Sequence, residues 1–464
     1  MKLAILGGGG VRMPGFVRAV LASRPGAFSE IALFEPDPQR RETTGRLSVE
    51  VARVLGHEGV VTLTADAAAA FTGADFVFSA IRVGGDRGRV IDEEVALRRG
   101  VVGQETTGPG GGAMALRTIP VILEYCETLA RCAPQAVLIN FTNPAGLITQ
   151  AVSLHSPVRA AGVCDTPSGT LERLAEFLGV PRAETGFGYA GLNHLGWITS
   201  FTAGGEEQIG ALLARYEELA RFDHRFAAFD PGQVRKVGAI PTEYVYYFYD
   251  PARYVASVAR AGASRGADVV RLNEELLVGV GKGFEAGGAQ EAWAAYSTLM
   301  GVRRDTYMRT DMQGENQQGL ARERRAAAGP ERIGGASIGG YEGIALRVID
   351  GLTGRTGAAK VIVNTPGGTS LDFLEPDDVV EVPALVDGGG VAPLAAPPLP
   401  RSARGLVTSV KEYERAIVDA AVTGDAQAAT LALALHPLVP GVTVAKEMMS
   451  EYRERHGRHL AYLH

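Results

Sequence analysis

Two apolar segments that each end in polar residues constrain the fold of this chain more than any other feature. Residues 136–139 (Ala-Val-Leu-Ile) run into Asn140, and residues 159–163 run into Cys164 and Asp165. An apolar stretch of helical length separates the two segments. A strand–helix–strand unit of this kind is typical of doubly wound α/β sheets, in which ligands bind at the carboxyl ends of the strands. Amides, a thiol and a carboxylate at two such ends therefore predict a reaction site.

The amino-terminal segment predicts a place for a dinucleotide beside that site. A short apolar strand over residues 2–6 is followed by four glycines, Gly7, Gly8, Gly9 and Gly10. We expect a helix to begin near Pro14, because proline suits the first helical turn. Glycines at this point let the backbone approach a pyrophosphate at the positive end of the helix. Arg12 stands where the third glycine of the G-x-G-x-x-G pattern would be, so a bare strand–helix turn is the alternative interpretation.

The second predicted strand, over residues 31–34, ends at Glu35. A carboxylate in this position accepts hydrogen bonds from the adenosine ribose in dinucleotide-binding sheets, which favours NAD over NADP. Arg40 and Arg41 follow closely and are suited to hold a 2′-phosphate instead. The other alternative is a solvated helix start with Asp37 near its amino terminus.

Arginines and glycines dominate the next part of the chain. Two further strands are predicted over residues 60–64 and 74–80, and Arg82 and Arg89 follow the second of them. Residues 103–112 are then rich in glycine, with polar side chains between. We interpret these glycines as positions where the backbone lies close to a ligand. A mobile surface loop is the alternative.

Length and composition describe an enzyme-sized protein. At 464 residues the chain is too long for one compact core, so we predict a dinucleotide-binding domain over residues 1–167 and a substrate, metal and oligomerisation domain over residues 168–464. The net charge of −6 argues against nucleic acid as a partner. No apolar run is long enough to span a membrane. Three cysteines and no signal peptide indicate the cytoplasm, where thiols stay reduced.

The regular alternation of strand and helix ends after residue 166. Helices are predicted over residues 168–178, 205–220, 266–283, 288–298, 404–422 and 424–437, and strands near 185–192, 197–203 and 359–363. The charge block at residues 322–325 (Arg-Glu-Arg-Arg) is interpreted as a solvated helix face. The predicted fold class is therefore α/β, with an N-terminal Rossmann-like doubly wound sheet and a second, mixed α+β domain.

Cys164 and His194 are the side chains best suited to metal chemistry. Cys164 ends a predicted strand, and His194 lies in a polar interruption between two strand-like runs. Thiolate and imidazole both bind divalent transition metals. Two protein ligands leave positions open for water and substrate oxygens, as a catalytic ion requires. The alternative is a buried cysteine and an unrelated histidine that hydrogen-bonds elsewhere.

Residues 240–249 are dense in aromatic side chains. A tyrosine in a metal-bearing cleft acts as a base only when its pKa falls well below its usual value of about 10. For Tyr246, Tyr247 and Tyr249, packing is the favoured interpretation.

These motifs together resemble glycoside hydrolase family 4, the NAD-dependent glycosidases. The resemblance covers nearly the whole chain. It rests on the glycine-rich start and on residues 103–120, 140–146, 162–167, 193–197, 240–249, 379–383 and 436–439. Within the family, the motifs are most similar to those of the 6-phospho-β-glucosidases.

The resemblance implies a role for each candidate residue. Cys164 and His194 would bind Mn²⁺, Tyr244 would be the catalytic base, and Asp165 falls where some members place a general acid. The residues implied to contact the phosphosugar are Arg89, Asn143 and Arg265, with Arg82 nearby. The implied reaction cleaves a 6-phospho-β-glucoside to glucose 6-phosphate and its aglycone. NAD⁺ takes hydride from carbon 3, the base removes the proton on carbon 2, the aglycone is eliminated, water adds at carbon 1 and the hydride returns.

Two residues depart from the family pattern. Gly10 stands where serine is common, and Asp165 stands where many β-type members carry asparagine and the 6-phospho-α-glucosidase-like members carry aspartate. Residues 104–107 and 113–120 resemble the β group, so a 6-phospho-β-glucosidase is expected and a 6-phospho-α-glucosidase is the alternative. Outside the family, the alternatives are an NAD-dependent 2-hydroxy acid dehydrogenase and a non-catalytic NAD-sensing module. The expected partners are a phosphorylated glycoside and further copies of the chain, in a dimer or tetramer.

Overall fold

A computed structural model describes residues 1–306, 332–334 and 341–464 of the chain. Within these ranges thirteen strands join a single sheet. The first six in chain order are parallel to one another. They are β1 (Lys2–Leu6), β2 (Glu30–Phe34), β3 (Val61–Thr64), β4 (Phe76–Ser79), β5 (Val137–Asn140) and β6 (Arg159–Gly162).

The parallel strands lie in the order β3-β2-β1-β4-β5-β6. Leu3 and Ile5 on β1 belong to one hydrophobic core, whereas Ala4 and Leu6 belong to another, so the sheet separates two cores. Burial on both faces explains why this strand is continuously apolar. The strand order reverses between β1 and β4, and ligands of such sheets bind outside the carboxyl ends at that point. The predicted Rossmann-like doubly wound sheet is confirmed.

Antiparallel strands from the second half of the chain extend the same sheet beyond β6. They are β7 (Thr185–Leu192), β8 (Leu195–Ala203), β9 (Glu206–Glu207), β10 (Ile240–Pro241), β11 (Ala359–Pro366), β12 (Val379–Asp387) and β13 (Gly390–Pro393). Outward from β6 the order is β11-β12-β7-β8-β10, while β9 pairs with β8 and β13 with β12. The second half is therefore mixed α+β, as predicted. The division between residues 167 and 168 stays a prediction.

Helices connect the parallel strands. In chain order they are α1 (Met13–Ser23), α2 (Pro38–Arg40), α3 (Arg46–Val54), α4 (Ala67–Phe71), α5 (Gly85–Leu97), α6 (Pro109–Cys132), α7 (Ala145–His155) and α8 (Thr166–Leu178), with a π-helical turn, Arg41–Gly45, between α2 and α3. The helix expected near Pro14 is α1. Because α7 links β5 to β6 and α8 follows β6, both polar strand ends that the sequence singled out lie at strand–helix junctions.

The described helices of the second half are more varied in length. They are α9 (Ile209–Ala214), α10 (Tyr216–Phe222), α11 (His224–Ala227), α12 (Pro231–Val237), α13 (Tyr246–Tyr249), α14 (Pro251–Ala261), α15 (Arg265–Gly287), α16 (Ala289–Asp305), α17 (Tyr341–Leu352), α18 (Arg401–Thr423), α19 (Ala426–Leu435) and α20 (Val442–His456). Short 3₁₀ turns occur at Arg182–Glu184, Glu243–Val245 and Gly457–His459. None of the described helices combines the length and apolarity needed to cross a membrane.

Most predicted elements of the second half are found, with one clear error. The prediction of one continuous helix over residues 205–220 is wrong at its start, because Gly204 and Gly205, with φ of 58° and 87°, form a two-residue turn from β8 into β9. Two short helices, α9 and α10, follow that hairpin. Strand β12 was not predicted. The charge block at residues 322–325 lies outside the described residues.

A third core attaches the helical pair α15–α16 to the nucleotide-binding half. Leu276 and Trp293 from this pair pack with Val11 and Leu47 from the first half. Tyr296 adds a polar contact, since its hydroxyl accepts a hydrogen bond of 3.1 Å from the backbone N–H of Gly15. The pair is thereby held beside the glycine-rich loop and the start of α1.

Candidate active site

Packing against β2 and β4 explains three of the four glycines in the loop after β1. A Cβ on Gly7 would lie 2.7 Å from the carbonyl oxygen of Ala80, and a Cβ on Gly8 would lie 2.6 Å from Cβ of Leu33. The N–H of Gly9 donates a 3.0 Å hydrogen bond to Oε2 of Glu35, and a Cβ there would come within 2.5 Å of Cγ of the same residue. Gly10 is different, because its Cβ would meet no atom closer than 3.1 Å.

Glu35 ends β2 at the glycine-rich loop, as the sequence predicts. Its Oε1 accepts a 3.0 Å hydrogen bond from the N–H of Asp37. Burial raises the pKa of the Glu35 carboxyl, while the hydrogen bonds from Asp37 and Gly9 oppose that rise. Arg40 turns towards Asp86, with 3.3 Å between the guanidinium and the carboxylate. Arg41 donates to the carbonyl oxygen of Glu35 at 3.1 Å.

The loop after β5 is organised by Asn140. The side-chain amide of this buried residue donates to the carbonyl oxygens of Thr142 and Ala145, and its oxygen accepts from the N–H of Thr142. The hydroxyl of Thr142 in turn lies 2.7 Å from that of Ser79 at the end of β4. Asn143 follows in this fixed loop and is partly exposed, so its amide is accessible to a ligand.

Cys164 and Asp165 lie between β6 and α8. The thiol is buried, and this burial, together with the negative charges of Glu381 and Asp165, raises the pKa of Cys164 well above its ordinary value. Glu381, on β12, is also buried and accepts hydrogen bonds from Tyr189 at 2.6 Å and from Asn193 at 3.1 Å. Because Asn193 precedes His194, this one carboxylate adjoins both the thiol-bearing segment and the histidine-bearing turn.

His194 occupies the tight turn between β7 and β8. It is the only residue other than glycine with positive φ in the part of the chain that the structure describes, at 62°. Left-handed backbone costs energy for a residue with a Cβ, and such strain is concentrated at functional sites. Its Nδ1 lies 2.7 Å from the hydroxyl oxygen of Thr106, which leaves Nε2 for another partner. Burial lowers the pKa of His194 to about 4, so the imidazole is neutral and suited to bind a metal.

The glycines of residues 103–112 fold the loop onto its own chain. A Cβ on Gly103 would lie 2.2 Å from the carbonyl oxygen of Glu93, and a Cβ on Gly111 would lie 2.2 Å from that of Thr106. Gln104 Oε1 accepts hydrogen bonds from the N–H groups of Thr106 and Thr107, both at 2.7 Å. Close packing of this loop therefore holds Thr106 against His194. The sequence predicts instead that these glycines let the backbone lie close to a ligand.

Tyr244 lies on a 3₁₀ turn and stacks on His194. Their ring centroids are 3.8 Å apart and the planes differ by 10°. Tyr244 is buried, and it is close enough to Arg89 to interact with it electrostatically; burial lowers the pKa of that arginine, but the charges of Glu105 and Glu93 outweigh this effect and raise it. The proposed base, one proposed metal ligand and one proposed sugar-binding residue are thus neighbours.

The predicted arginines surround Glu105. Arg82 lies 2.6 Å and Arg89 lies 2.9 Å from its carboxylate oxygens. These arginines overcome the effect of burial and lower the pKa of Glu105 to about 2. Arg89 also pairs with Glu93 at 2.7 Å. Arg265, at the start of α15, is buried and donates to the carbonyl oxygen of Arg303 at 3.0 Å.

Sequence reasoning missed three residues of this region. Glu381 and Glu243 are buried carboxyls, and burial raises the pKa of each to about 7. Arg303 lies near the end of α16. The family motifs contain both glutamates, but no local signal distinguishes them from core residues, and nothing in the sequence marks Arg303.

The described residues contain no group of three or more histidine, cysteine, aspartate and glutamate side chains arranged to hold a metal ion. A site built on Cys164 and His194 would therefore be open, which fits a catalytic ion rather than a structural one. A cation next to the thiol would offset the negative charges of Glu381 and Asp165. The donor set thus fits a divalent metal.

Comparison with known proteins gives consistent results. A model of family 4 glycosyl hydrolases matches residues 2–180, and the model of the family 4 C-terminal domain matches residues 189–439. The protein named "Probable 6-phospho-beta-glucosidase" from Bacillus subtilis (strain 168) is 30% identical over 99% of this chain and 97% of its own length. The 6-phospho-alpha-glucosidase 1 of Lacticaseibacillus paracasei is 27% identical over 97% of this chain and 96% of its own.

Solved structures agree in fold along the whole chain. The 6-phospho-beta glucosidase of Thermotoga maritima, solved with NAD and glucose-6-phosphate, gives a TM-score of 0.79 at 25% identity and covers 98% of both chains. The same enzyme with manganese, NAD⁺ and glucose-6-phosphate gives a TM-score of 0.80 at 24% identity, over 99% of this chain and 98% of that one. The resemblance seen in the motifs is confirmed, and the chain belongs to family 4 of the glycosyl hydrolases.

Proposed function

We propose that the protein hydrolyses 6-phosphorylated glucosides with the help of NAD⁺ and a divalent metal, Mn²⁺. The observation that carries this proposal is the stack of Tyr244 on His194 beside Arg89. This arrangement brings together the phenol of Tyr244, the neutral imidazole of His194 and the guanidinium of Arg89, a group that commonly binds phosphate. Relatives named as 6-phospho-glucosidases support the substrate class.

The loop after β1 is suited to NAD. Gly7, Gly8 and Gly9 keep the backbone close to β2, and α1 begins just beyond them with its amino terminus towards the loop. The carboxylate of Glu35 would accept the adenosine ribose hydroxyls. Arg40 would lie beside that ribose, and its pairing with Asp86 disfavours a further role in holding a 2′-phosphate.

Cys164 and His194 would hold the metal, with Glu381 behind them to orient the histidine-bearing turn. When bound, NAD⁺ supplies the hydride acceptor for carbon 3 and Mn²⁺ supplies a Lewis acid for the oxygens on carbons 2 and 3. The hydroxyl of Thr106 fixes the ring of His194. Partners of this kind set ligand orientation and raise metal affinity.

Tyr244 would remove the proton on carbon 2, and Asp165 would protonate the leaving oxygen as the aglycone departs. The phosphate would be bound by arginine, whose planar fork donates to two oxygens at once. The residues assigned to the phosphosugar are Arg82, Arg89, Arg265 and Asn143. Because Glu105 pairs with both Arg82 and Arg89, it would keep these two side chains in place while the site is empty of phosphate.

We propose β-glucosides as the preferred anomer, and the α-anomer as the second candidate. Residues 104–107, which form the loop against His194, support the β assignment. Asp165 favours the α assignment, because a carboxyl rather than an amide follows Cys164. Family membership leaves no support for a 2-hydroxy acid dehydrogenase or an NAD-sensing module.

One panel of assays tests the function. The 6-phosphorylated and unphosphorylated forms of aryl α- and β-glucosides are incubated with the full-length protein, with and without NAD⁺ and Mn²⁺. Turnover confined to the phosphorylated substrates, and requiring both additions, is expected. Undiminished hydrolysis after chelation and dialysis would contradict the proposal.

The assembly and location are also proposals. We expect the protein to be a homo-oligomer, a dimer or tetramer, and to be located in the cytoplasm. We also expect residues 1–167 and 168–464 to act as two functional domains. Light scattering on purified protein measures the oligomeric state, and a single monomeric species at micromolar concentration would exclude a homo-oligomer.

A further inference from the structure

The ring of His194 is fixed by its backbone and by its stack on Tyr244. The residue lies on a left-handed turn with φ of 62°, and the two ring centroids are 3.8 Å apart. These constraints set the position and the plane of the imidazole. They do not decide which ring nitrogen carries the proton, because both neutral tautomers have the same shape.

One hydrogen bond of the ring bears on that choice. Nδ1 of His194 lies 2.7 Å from Oγ1 of Thr106. A hydroxyl can either donate to a ring nitrogen or accept from it, so this contact taken alone fits both tautomers. The other partner of the hydroxyl therefore decides the direction of the bond.

That other partner is the side chain of Gln104. Its Oε1 lies 2.8 Å from Thr106 Oγ1 and also accepts the backbone N–H groups of Thr106 and Thr107, both at 2.7 Å. Two backbone donors identify this atom as the amide oxygen, because an amide nitrogen would face them with its own hydrogens. An oxygen without a hydrogen can only accept. The single hydrogen of the Thr106 hydroxyl must then point to Gln104.

The position of the histidine proton follows from this direction. Since the only hydrogen of the hydroxyl is used towards Gln104, its oxygen meets His194 with a lone pair. The 2.7 Å contact then requires the hydrogen on Nδ1. Nε2 keeps its lone pair, which is the form that a metal ligand needs. In the other tautomer Nε2 would carry the hydrogen and could not bind a cation.

We propose that Gln104 is a positioning residue for metal binding, which acts through Thr106 to keep the proton of His194 on Nδ1. This inference rests on the proposed function, because it takes Mn²⁺ as the partner of Nε2. Gln104 and His194 are both buried, so water does not readily replace either partner of the hydroxyl. Fixing the proton in advance removes a rearrangement that metal binding would otherwise require.

The central comparison is between Thr106→Val and Thr107→Val. Valine keeps the branched shape of threonine but has no hydroxyl, so the turn and the ring stack should remain. Thr107 is the matched control, because its buried hydroxyl has no hydrogen-bonding partner among the described residues. Thr106→Ser keeps the hydroxyl and is the conservative variant that should restore the wild-type behaviour.

Nitrogen-15 NMR of the metal-free protein with labelled histidine reads the tautomer directly. The chain has eight histidines, and the signals that are absent from His194→Gln identify this residue. We expect the proton on Nδ1 in the wild type, in Thr106→Ser and in Thr107→Val, and a mixture of tautomers in Thr106→Val. Calorimetric titration with Mn²⁺ should give a dissociation constant about tenfold larger or more in Thr106→Val, and an unchanged one in Thr106→Ser and Thr107→Val.

Two variants of Gln104 test the first member of this chain of hydrogen bonds. Methionine has no oxygen, so in Gln104→Met the hydroxyl of Thr106 becomes able to donate to Nδ1. Part of the His194 population should then carry its proton on Nε2. Glutamate keeps an accepting oxygen, and in Gln104→Glu the proton should stay on Nδ1.

Three results would overturn the inference. The first is a proton on Nε2 of His194 in the metal-free wild type. The second is the same tautomer in Thr106→Val and Thr107→Val, and the third is a mixture of tautomers in Thr106→Val without any loss of Mn²⁺ affinity. If the tautomers and the Mn²⁺ affinities change as expected but the wild type cleaves no phosphoglucoside, the proposed function fails and the role of Gln104 stands.

Discussion

The rings of His194 and Tyr244 are stacked, with centroids 3.8 Å apart and planes 10° from parallel. His194 reaches this position from a strained turn, and Tyr244 reaches it from a 3₁₀ turn about fifty residues later. The stack therefore fixes the phenol relative to the imidazole, since neither ring can rotate without displacing the other. A base that must meet one particular proton benefits from such a fixed position.

Replacing Tyr244 with phenylalanine separates the two roles of this residue. The ring and its stack remain, but the phenol oxygen is lost. We expect kcat to fall by about 10² to 10⁴, the usual contribution of a general base, with KM little changed. Exchange of the carbon 2 proton with deuterium from solvent should disappear in the same variant.

Tyr247→Phe is the control for that measurement. Its ring lies 5.8 Å from that of Tyr244 and is also buried, so the same hydroxyl is removed from a neighbouring tyrosine that has no assigned role in the reaction. Its kcat should stay near that of the wild type. If Tyr244→Phe keeps wild-type turnover and proton exchange, the base must be sought elsewhere.

The parallel half of the fold was predictable because each of its elements is coded locally. Apolar runs gave the strands, and a polar residue at each carboxyl end gave the crevice. Cys164 and Asp165 could be placed at that edge for the same reason. The glycines of the first loop were also recognisable, although their main task is to pack against Leu33 and Glu35 rather than to leave open space.

The remaining site residues could not be predicted, because they arrive through contacts distant in sequence. Glu381 hydrogen-bonds Tyr189, which precedes it by 192 positions. Arg303 belongs to a helix whose apolar pattern describes only its packing against α15. No local motif shows which strands β12 will pair with. In the sequence, Glu381 on this strand therefore cannot be distinguished from a core residue.

Glu381→Gln should weaken both the fold and the metal site. The carboxylate accepts hydrogen bonds from Tyr189, Asn193 and Asn364. An amide has only one accepting oxygen, so at least one buried donor loses its partner. We expect a loss of about 1–3 kcal/mol in the free energy of unfolding. Because Asn193 carries the turn to His194, Mn²⁺ should bind about 10- to 100-fold more weakly.

Urea denaturation and a Mn²⁺ titration measure these two effects. Glu375→Gln is the control, since Glu375 is an exposed carboxylate on the loop before β12. A variant at position 381 that binds Mn²⁺ with wild-type affinity would show that this carboxylate does not organise the site.

The glycine-rich loop offers a paired test of cofactor binding. Gly9→Ala would place a Cβ 2.5 Å from Cγ of Glu35 and 2.8 Å from its Oε2, so the carboxylate must move. We expect the dissociation constant of NAD⁺ to rise by about tenfold or more. Gly10→Ala meets no atom closer than 3.1 Å and should change this dissociation constant by no more than about twofold. Equal effects of the two substitutions would exclude this packing explanation.

Glu243 predicts how the stability of the protein depends on pH. Burial, aided by the charges of Asp165 and Asp223, raises the pKa of its carboxyl from 4.5 to about 7, against the opposing charge of Arg225. Between these two values the folded protein keeps a proton that the unfolded chain has lost. Stability from this group is therefore complete below pH 4.5 and is lost as the pH rises through 7, by up to about 3 kcal/mol.

Glu243→Gln should remove that share of the pH dependence. The amide keeps a hydrogen-bonding partner for Thr170, whose hydroxyl lies 3.5 Å from Oε2 of the glutamate. Glu381 titrates with the same sign and is present in both proteins, so its contribution cancels in the comparison. The unfolding free energy of the variant relative to the wild type, measured in urea from pH 4.5 to pH 8, should rise with pH. A difference that stays constant over this range would mean that Glu243 is ionised in the folded protein throughout.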